Sequence, residues 1–464
     1  MAPPPESNLV KALHFLQASY SGALLFFCVC VVSSAIKNNQ TTSFENGIPT
    51  GLAACVVWGL IFVLATIEGG QGCLVGLQPI DKDSYKESHP IAYKGTVLAH
   101  KGDNMERYIV GRQFMVVLCV FVISYMGSAL KNASVFDVSQ TINDIFLDNG
   151  IALLITVIIL GQLTAQVNAA VCLLDFINNY FHLFTVYLSL GIEISGLLHS
   201  VYLVNVVFAK ITGNPTPTNE PEKSGLTLAL FWARVVGSLF CLSFSLAVVV
   251  EALLDETTKM WDGVPAGASI AIFFILMVFV GIMEGMQIAA FAVLRVPEAE
   301  YKDTHKIAHT NCQLMFKGDN LQLFLVGRQL LVTLCMFVVA KIATIDKDKW
   351  VAKHPDANIF GVSDGFQTFI ETGLLGALVT TIIGSLIWRV IAGSKPLTFM
   401  SNPVIFVIIW ACFGFSWSGI LNFSWVLGWI QKKILRWERD EFYLGEEMVT
   451  KEKKAKEEEG VEAV

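Results

Sequence analysis

Apolar runs long enough to cross a hydrocarbon core of ~30 Å as a helix recur along the chain, separated by short polar stretches. They fall near residues 13–36, 51–76, 105–129, 150–171, 179–208, 227–253, 266–294, 321–344, 373–393 and 402–429. Each predicts a membrane helix, so the pattern predicts an all-α polytopic membrane protein with ten transmembrane helices. Composition agrees: of 464 residues 54% are hydrophobic and 15% charged, too little charge for a surface that faces water throughout. The first run follows a single lysine, Lys11, and has no small-residue cleavage site, which reads as a retained span. Most of the cysteines lie inside apolar runs and read as small buried hydrophobes, with no zinc spacing or disulfide framework. Beyond residue 430 the sequence turns to QKKILRWERDEFYLGEEMVTKEKKAKEEEGVEAV, a soluble charged tail over 431–464 whose first part can continue the last helix.

The chain repeats itself. At an offset of 216, EGGQ (68–71) meets EGMQ (284–287), YKESHPIA (85–92) meets YKDTHKIA (301–308), KGDN meets KGDN at 101 and 317, and VGRQ meets VGRQ at 110 and 326. At an offset of 223, Gly161 meets Gly384, and Gly191, Ser195 and Gly196 meet Gly414, Ser418 and Gly419. Two five-helix repeats follow, residues 1–210 and 211–430. An odd number of crossings per repeat makes the second copy enter the membrane in the opposite sense, a 5+5 inverted repeat of the kind that carriers use to open alternately to each side. With both termini inside, inner segments hold 16 Lys and Arg and outer ones 10, although the outer segment 295–328 is itself basic. The sequons Asn39-Gln-Thr41 and Asn132-Ala-Ser134 then lie outside, as expected of a glycoprotein.

The paired motifs carry the candidate chemistry. As one straight helix, 51–76 would be ~39 Å long, and the glycines of EGGQG (68–72) predict a break or tilt near its end that exposes backbone carbonyls, with a milder break or none in EGMQ. GRQ begins the following span, so Glu68, Gln71, Arg112 and Gln113 meet at one depth. Glu284, Gln287, Arg328 and Gln329 meet likewise, on the other side of the midplane in an inverted repeat. Four glutamines, each with two donors and an acceptor, suit a small uncharged polyol better than an ion. The Glu and Arg residues serve either as helix-locking pairs or as direct contacts to substrate or ion. Glu193, opposite Ser416 in the second copy, with Ser195 nearby, either holds a coupling cation, helped by carbonyls at Gly69 and Gly285, or pairs with a neighbouring donor for packing. Gln162 and Gln166 either line the same pathway or bond a neighbouring helix. KGDN reads as a turn and helix start, with Asp103, Asn104, Asp319 and Asn320 as caps. His89 and His305 read as loop residues rather than a metal pair.

EGxQ followed some forty residues later by GRQ, twice in a ten-span chain, resembles the silicon (silicic acid) transporters of diatoms and other silica-forming algae. The resemblance covers about residues 13–430, and CLLD (172–175) is similar to the family's CMLD element with leucine for methionine. It implies sodium-coupled uptake of silicic acid by alternating access across a plasma or vesicle membrane, with Gln71, Gln113, Gln287 and Gln329 as substrate contacts. No enzymatic step, cofactor or nucleic acid is implied; Na⁺ is the coupling ion, and a homo-oligomer is compatible with the tail. The alternatives are a passive channel for neutral hydroxylated solutes and a membrane sensor that binds silicic acid without moving it.

Overall fold

A computed structural model describes residues 8–45, 47–212, 220–221, 224–261, 263–294, 296–353, 363 and 373–444. Eight helices among them are long and apolar enough to cross a membrane. The first copy supplies α1 (Asn8–Lys37), α2 (Thr50–Gly76), α4 (Asn104–Gly127) and α5 (Ile151–Ala169), with α3 (Pro90–Ala99) lying between α2 and α4. After α6 (Leu173–Ile177) come α7 (Tyr180–Ile194) and α8 (Tyr202–Thr212). The second copy repeats this with α9 (Gly225–Leu254), α10 (Ala266–Val293), α11 (Lys306–Phe316), α12 (Asn320–Ala343) and α13 (Leu375–Ser394). It closes with α14 (Val404–Trp417), α15 (Phe423–Leu435) and the short α16 (Asp440–Leu444).

The duplication is visible in local geometry. Each copy has a π-helical turn in its fourth long helix, Ile159–Leu163 and Ile382–Leu386, and an isolated bridge near the end of its third, Thr41 to Ala129 and Thr258 to Ile345. The KGDN turns place Gly102 and Gly318 at positive φ, +56° and +58°. The following asparagines do not cap their own helices: Asn104 Nδ2 donates back to the Leu98 carbonyl and Asn320 Nδ2 to the Leu314 carbonyl.

The fifth run of each copy departs from the expected span. In the first copy it breaks at residues 195–198 with a bend of 66°, around Gly196 at φ +89°. The segment enters beside α3, where Asn178 Oδ1 accepts from the amides of Ile91 and Ala92. Its turn is pinned halfway along α9, where the Ser200 amide donates to Ser238 Oγ and Ser238 Oγ donates to the Leu197 carbonyl. The rings of His199 and Tyr202 then lie against Phe231, nearer the start of α9. Past α8, Glu220 pairs at 2.5 Å with Arg107 in the first turn of α4, so the chain leaves at the end where it entered. In the second copy α14 starts beside α11, where Asn311 Nδ2 donates to the Met400 carbonyl. The turn at Gly419 is held by Ser21, which donates to the Ile420 carbonyl, and α15 runs along α5 to a bond between Asn168 and Gln431. Both runs are hairpins that dip into the bundle and return.

A hairpin that does not cross removes the parity argument for inversion. The final turns of α4 and α12 lie at the same end of the bundle: Gly376 is flanked by Phe121 and Ala343, Lys341 Nζ donates to the Asp148 carbonyl at 3.2 Å, and Lys259 Nζ sits 5.7 Å from the Tyr125 ring centre. The expected inverted 5+5 arrangement of ten spans is therefore replaced by two copies that run parallel, each with four long helices and a hairpin. Parallel repeats are related by an axis along the membrane normal.

The expected break at EGGQG is absent, and α2 and α10 run through both motifs as continuous helix. Their glycines serve close approach instead. A Cβ at Gly69 would meet the Phe176 ring at 2.2 Å and one at Gly70 the His182 ring at 2.3 Å, while one at Gly285 would meet the Phe399 ring at 2.4 Å. With the helix intact, the carbonyls of Gly69 and Gly285 lie within it rather than lining an opening.

Candidate functional site

Arg112 stands eight residues after the start of α4 and Glu68 eight before the end of α2, and the equivalent residues of α12 and α10 occupy nearly the same positions. At about 1.5 Å per residue both clusters lie about 12 Å from one end of the bundle. Because the copies are parallel, they are at one depth on either side of the pseudo-two-fold axis, not one near each face. Close contacts fix the depth. The hairpin backbone presses on a glycine of each GRQ helix, so that a Cβ at Gly111 would stand 1.9 Å from the Ser189 carbonyl oxygen and one at Gly327 1.9 Å from that of Cys412.

In the first copy Arg112, 1% exposed, pairs with Glu68 at 2.6 Å and donates from Nη1 to Gln113 Oε1 at 3.2 Å. Gln166 Nε2 donates to the same Glu68 oxygen at 3.1 Å. In the second copy Arg328 donates to Gln329 Oε1 at 3.0 Å and lies 3.7 Å from Glu284. Glu284 is held instead by Arg389, whose Nε and Nη2 donate to Oε2 at 3.0 and 2.6 Å. An ionisable group in a bilayer costs roughly 2.5–3.5 kcal/mol on insertion scales, which explains why every one of these carboxylates is paired.

Gln113 and Gln329 are buried, and each has its carbonyl oxygen taken by the neighbouring arginine. Their amide NH₂ groups have no hydrogen-bond partner among the described residues and remain as donors. Gln71 and Gln287, one turn along from Glu68 and Glu284, are half-buried, without hydrogen bonds to the described residues. Gln162 joins the copies: its Oε1 accepts from Thr333 Oγ1 at 2.7 Å, one turn beyond Gln329.

The residues expected to hold a cation are arranged differently. Glu193 is buried, accepts from the Tyr202 hydroxyl at 2.9 Å and lies 3.7 Å from His199 Nε2. Ser195 is exposed and donates to the Ile192 carbonyl in the hairpin turn, so the structure does not bring the two together. No group of three or more His, Cys, Asp or Glu able to hold a metal occurs among the described residues.

Three features of the region were not legible beforehand. Arg389 occupies the position of Gln166 in the second copy, a substitution that the offset of 223 exposes once the two are compared. His182 lies over Gly70, buried with neither ring nitrogen hydrogen-bonded, where the second copy has Ile405. The CLLD element anchors the chain after α15. Asp175 bridges His89 Nε2 at 3.2 Å, the Glu438 amide at 2.7 Å and the Tyr443 hydroxyl at 3.2 Å. Asp440 accepts from the amides of Leu173 and Leu174. Burial holds the Asp440 carboxyl above its usual range against the pull of those two amides. The start of the expected tail is thus docked on the first copy, and residues 445–464 lie outside the described residues.

At the other end of the bundle a cavity of about 100 Å³ opens between the copies, lined among others by Ser124, Tyr125, Ser128, Phe337 and Lys341. It reaches Leu334, five residues from Gln329.

Searches of curated proteins and of solved structures each found no match to the chain. A family model described as silicon transporter matches residues 9–463. A chain matched over nearly its whole length, with the paired glutamine and arginine clusters of EGxQ and GRQ facing each other across a pseudo-two-fold axis, belongs to the silicon transporter family.

Proposed function

We propose that the protein is a sodium-coupled symporter of silicic acid that works by alternating access. The observation that carries the reading is the matched pair of clusters at one depth, each offering a glutamine NH₂ whose oxygen is already engaged by arginine. Silicic acid is tetrahedral, and a two-fold axis through its centre divides its four hydroxyls into two equal pairs. Each copy can then hold one pair, with Gln113 and Gln71 on one side and Gln329 and Gln287 on the other. Glu68 and Glu284, with Arg112 and Arg328, fix the orientation of these amides. Rocking of the two parallel copies against each other around the fixed site exposes it to each face in turn. The cavity beside Tyr125 and Lys341 is the access route from one face.

Sodium belongs to the first copy in this scheme. Glu193 is a carboxylate there with Ser416 as its counterpart, and Gln166 offers an oxygen where the second copy places the charge of Arg389. The loops at the end where α4 and α12 begin carry Lys82, Lys86, Lys94, Lys101, Lys302, Lys306 and Lys317. Those at the other end carry fewer, Lys131, Lys259, Lys347, Lys349 and Lys353, so the basic end and both termini are assigned to the cytoplasm. The basic segment 295–328, an exception under inversion, conforms in the parallel arrangement.

The test is flux in proteoliposomes holding the full chain. An inward sodium gradient drives silicic acid above its equilibrium level inside, and collapsing the gradient abolishes the accumulation. Flux that equilibrates without accumulating and ignores sodium would make the protein a channel, and binding without flux would make it a sensor.

A further inference from the structure

We propose that the second-copy cluster Glu284–Arg328–Arg389 is a binding site for one small monovalent anion. The inference deepens the reading above by assigning the two copies different ligands by charge. In the first copy one carboxylate, Glu68, faces one guanidinium, Arg112, and the third member, Gln166, is neutral. In the second copy one carboxylate, Glu284, faces two guanidinium groups. The surplus is a whole positive charge, buried: the side chains of Arg328 and Arg389 are 5% and 10% exposed. The other ionisable neighbours of Arg328 are Glu68 of the first copy, whose charge is already matched by Arg112, and the thiol of Cys412, so the surplus stays at one positive charge.

The hydrogen-bond pattern gives the surplus a direction. Both Arg389 donors on one edge go to Glu284, which leaves Arg328 Nε and Nη1 and Arg389 Nη1 buried with no hydrogen-bond partner. Arg112, by contrast, donates to Glu68, Gln113 and the Ile67 carbonyl. A buried guanidinium with unmade hydrogen bonds is strongly unfavourable, and a compact anion accepting from these N–H groups offsets the charge and makes the missing bonds. Two sources supply such a ligand, an inorganic anion such as chloride or silicic acid that has lost one proton. Either accepts from N–H groups on these three nitrogens, and the first copy, where glutamine replaces the second arginine, has no equivalent.

The test is the thermal unfolding midpoint of the purified full chain, read without any transport assay, so it stands apart from the failure or success of the flux experiment. With sodium held constant and no silicic acid present, replacing sodium gluconate by sodium chloride raises the midpoint if chloride is the ligand. If the ligand is the deprotonated substrate, chloride has no effect, and the rise produced by silicic acid is larger at pH 10 than at pH 7. In either arm Arg389→Gln, which copies Gln166, weakens the response about tenfold or more in half-effect concentration, while Arg389→Lys, which keeps the charge, retains part of it. Should the glutamine variant not fold, the wild-type and lysine proteins decide the matter. A wild-type midpoint that is the same in chloride and gluconate, with a silicic acid effect equal at both pH values, overturns the proposal, as does an Arg389→Gln protein that responds like wild type.

Discussion

The contact between each hairpin and its GRQ helix sets the position of the glutamines, and Gly111→Ala and Gly327→Ala test it. The new methyl carbon would stand 1.9 Å from a backbone carbonyl oxygen, that of Ser189 or Cys412. An ordinary carbon to oxygen approach is about 3.3 Å, so α4 and α7, or α12 and α14, must part by about 1.4 Å. A flexible side chain could swing away, but a carbonyl within a helix cannot, so the cost falls toward the upper end of the ~1–3 kcal/mol typical of overpacking. Gly59 and Gly237 are controls inside long helices, where a Cβ meets nothing within 4 Å. Alanine there should leave stability unchanged or raise it by about 0.5–1 kcal/mol through lower entropy of the unfolded chain. The assay is the unfolding midpoint by tryptophan fluorescence, with silicic acid binding measured on the same samples. Gly111→Ala and Gly327→Ala should lower the midpoint and also weaken binding, because Gln113 and Gln329 lie two residues on. If they behave like the Gly59 and Gly237 controls, the hairpins do not sit where the account puts them.

Topology and pH give two further checks. Single cysteines at Asn39 and Glu256, both exposed, should be labelled by an impermeant reagent from one side of the membrane, and cysteines at Glu87 and Asp303 from the other; an inverted repeat would split each pair between the two faces. His100 Nε2 donates to the Leu74 carbonyl, and burial lowers its pKa below the ordinary ~6.5 despite that bond. The folded chain therefore binds fewer protons than the unfolded one as pH falls below about 6.5, so stability is lost on acidification. Cleavage within 77–103 by added protease should rise between pH 7.5 and 5.5, and His100→Gln should flatten that rise.

Much of this was readable from the residues themselves. The eight long helices follow from run length, and the meeting of Glu68 with Arg112 follows from the position of each motif near the joined ends of two neighbouring helices. The fifth and tenth runs misled because hydropathy counts apolar residues and not the direction of the chain. The 179–208 run is long enough to span, and only Gly196 in the left-handed region, with Ser238 to anchor the turn, makes it double back. One such non-crossing segment changes the parity and turns an expected inversion into a parallel pair. EGGQG misled for a different reason: glycine permits both a bent helix and a close neighbour, and the sequence does not say that Phe176 and His182 will occupy the space. The bond from Gln162 to Thr333 depends on which helices pack across the axis, which no local pattern encodes, whereas the exchange of Gln166 for Arg389 shows once the copies are aligned at the offset of 223.

The most direct test of the two-fold site is a titration of the purified chain with silicic acid, reading affinity and stoichiometry together. One silicic acid per chain is expected, with Gln113→Ala and Gln329→Ala each weakening its binding by about 0.5–1.5 kcal/mol, the loss of a hydrogen bond, and the double variant weaker than either. Two silicic acids per chain, with each substitution abolishing one and leaving the other at full affinity, would contradict it.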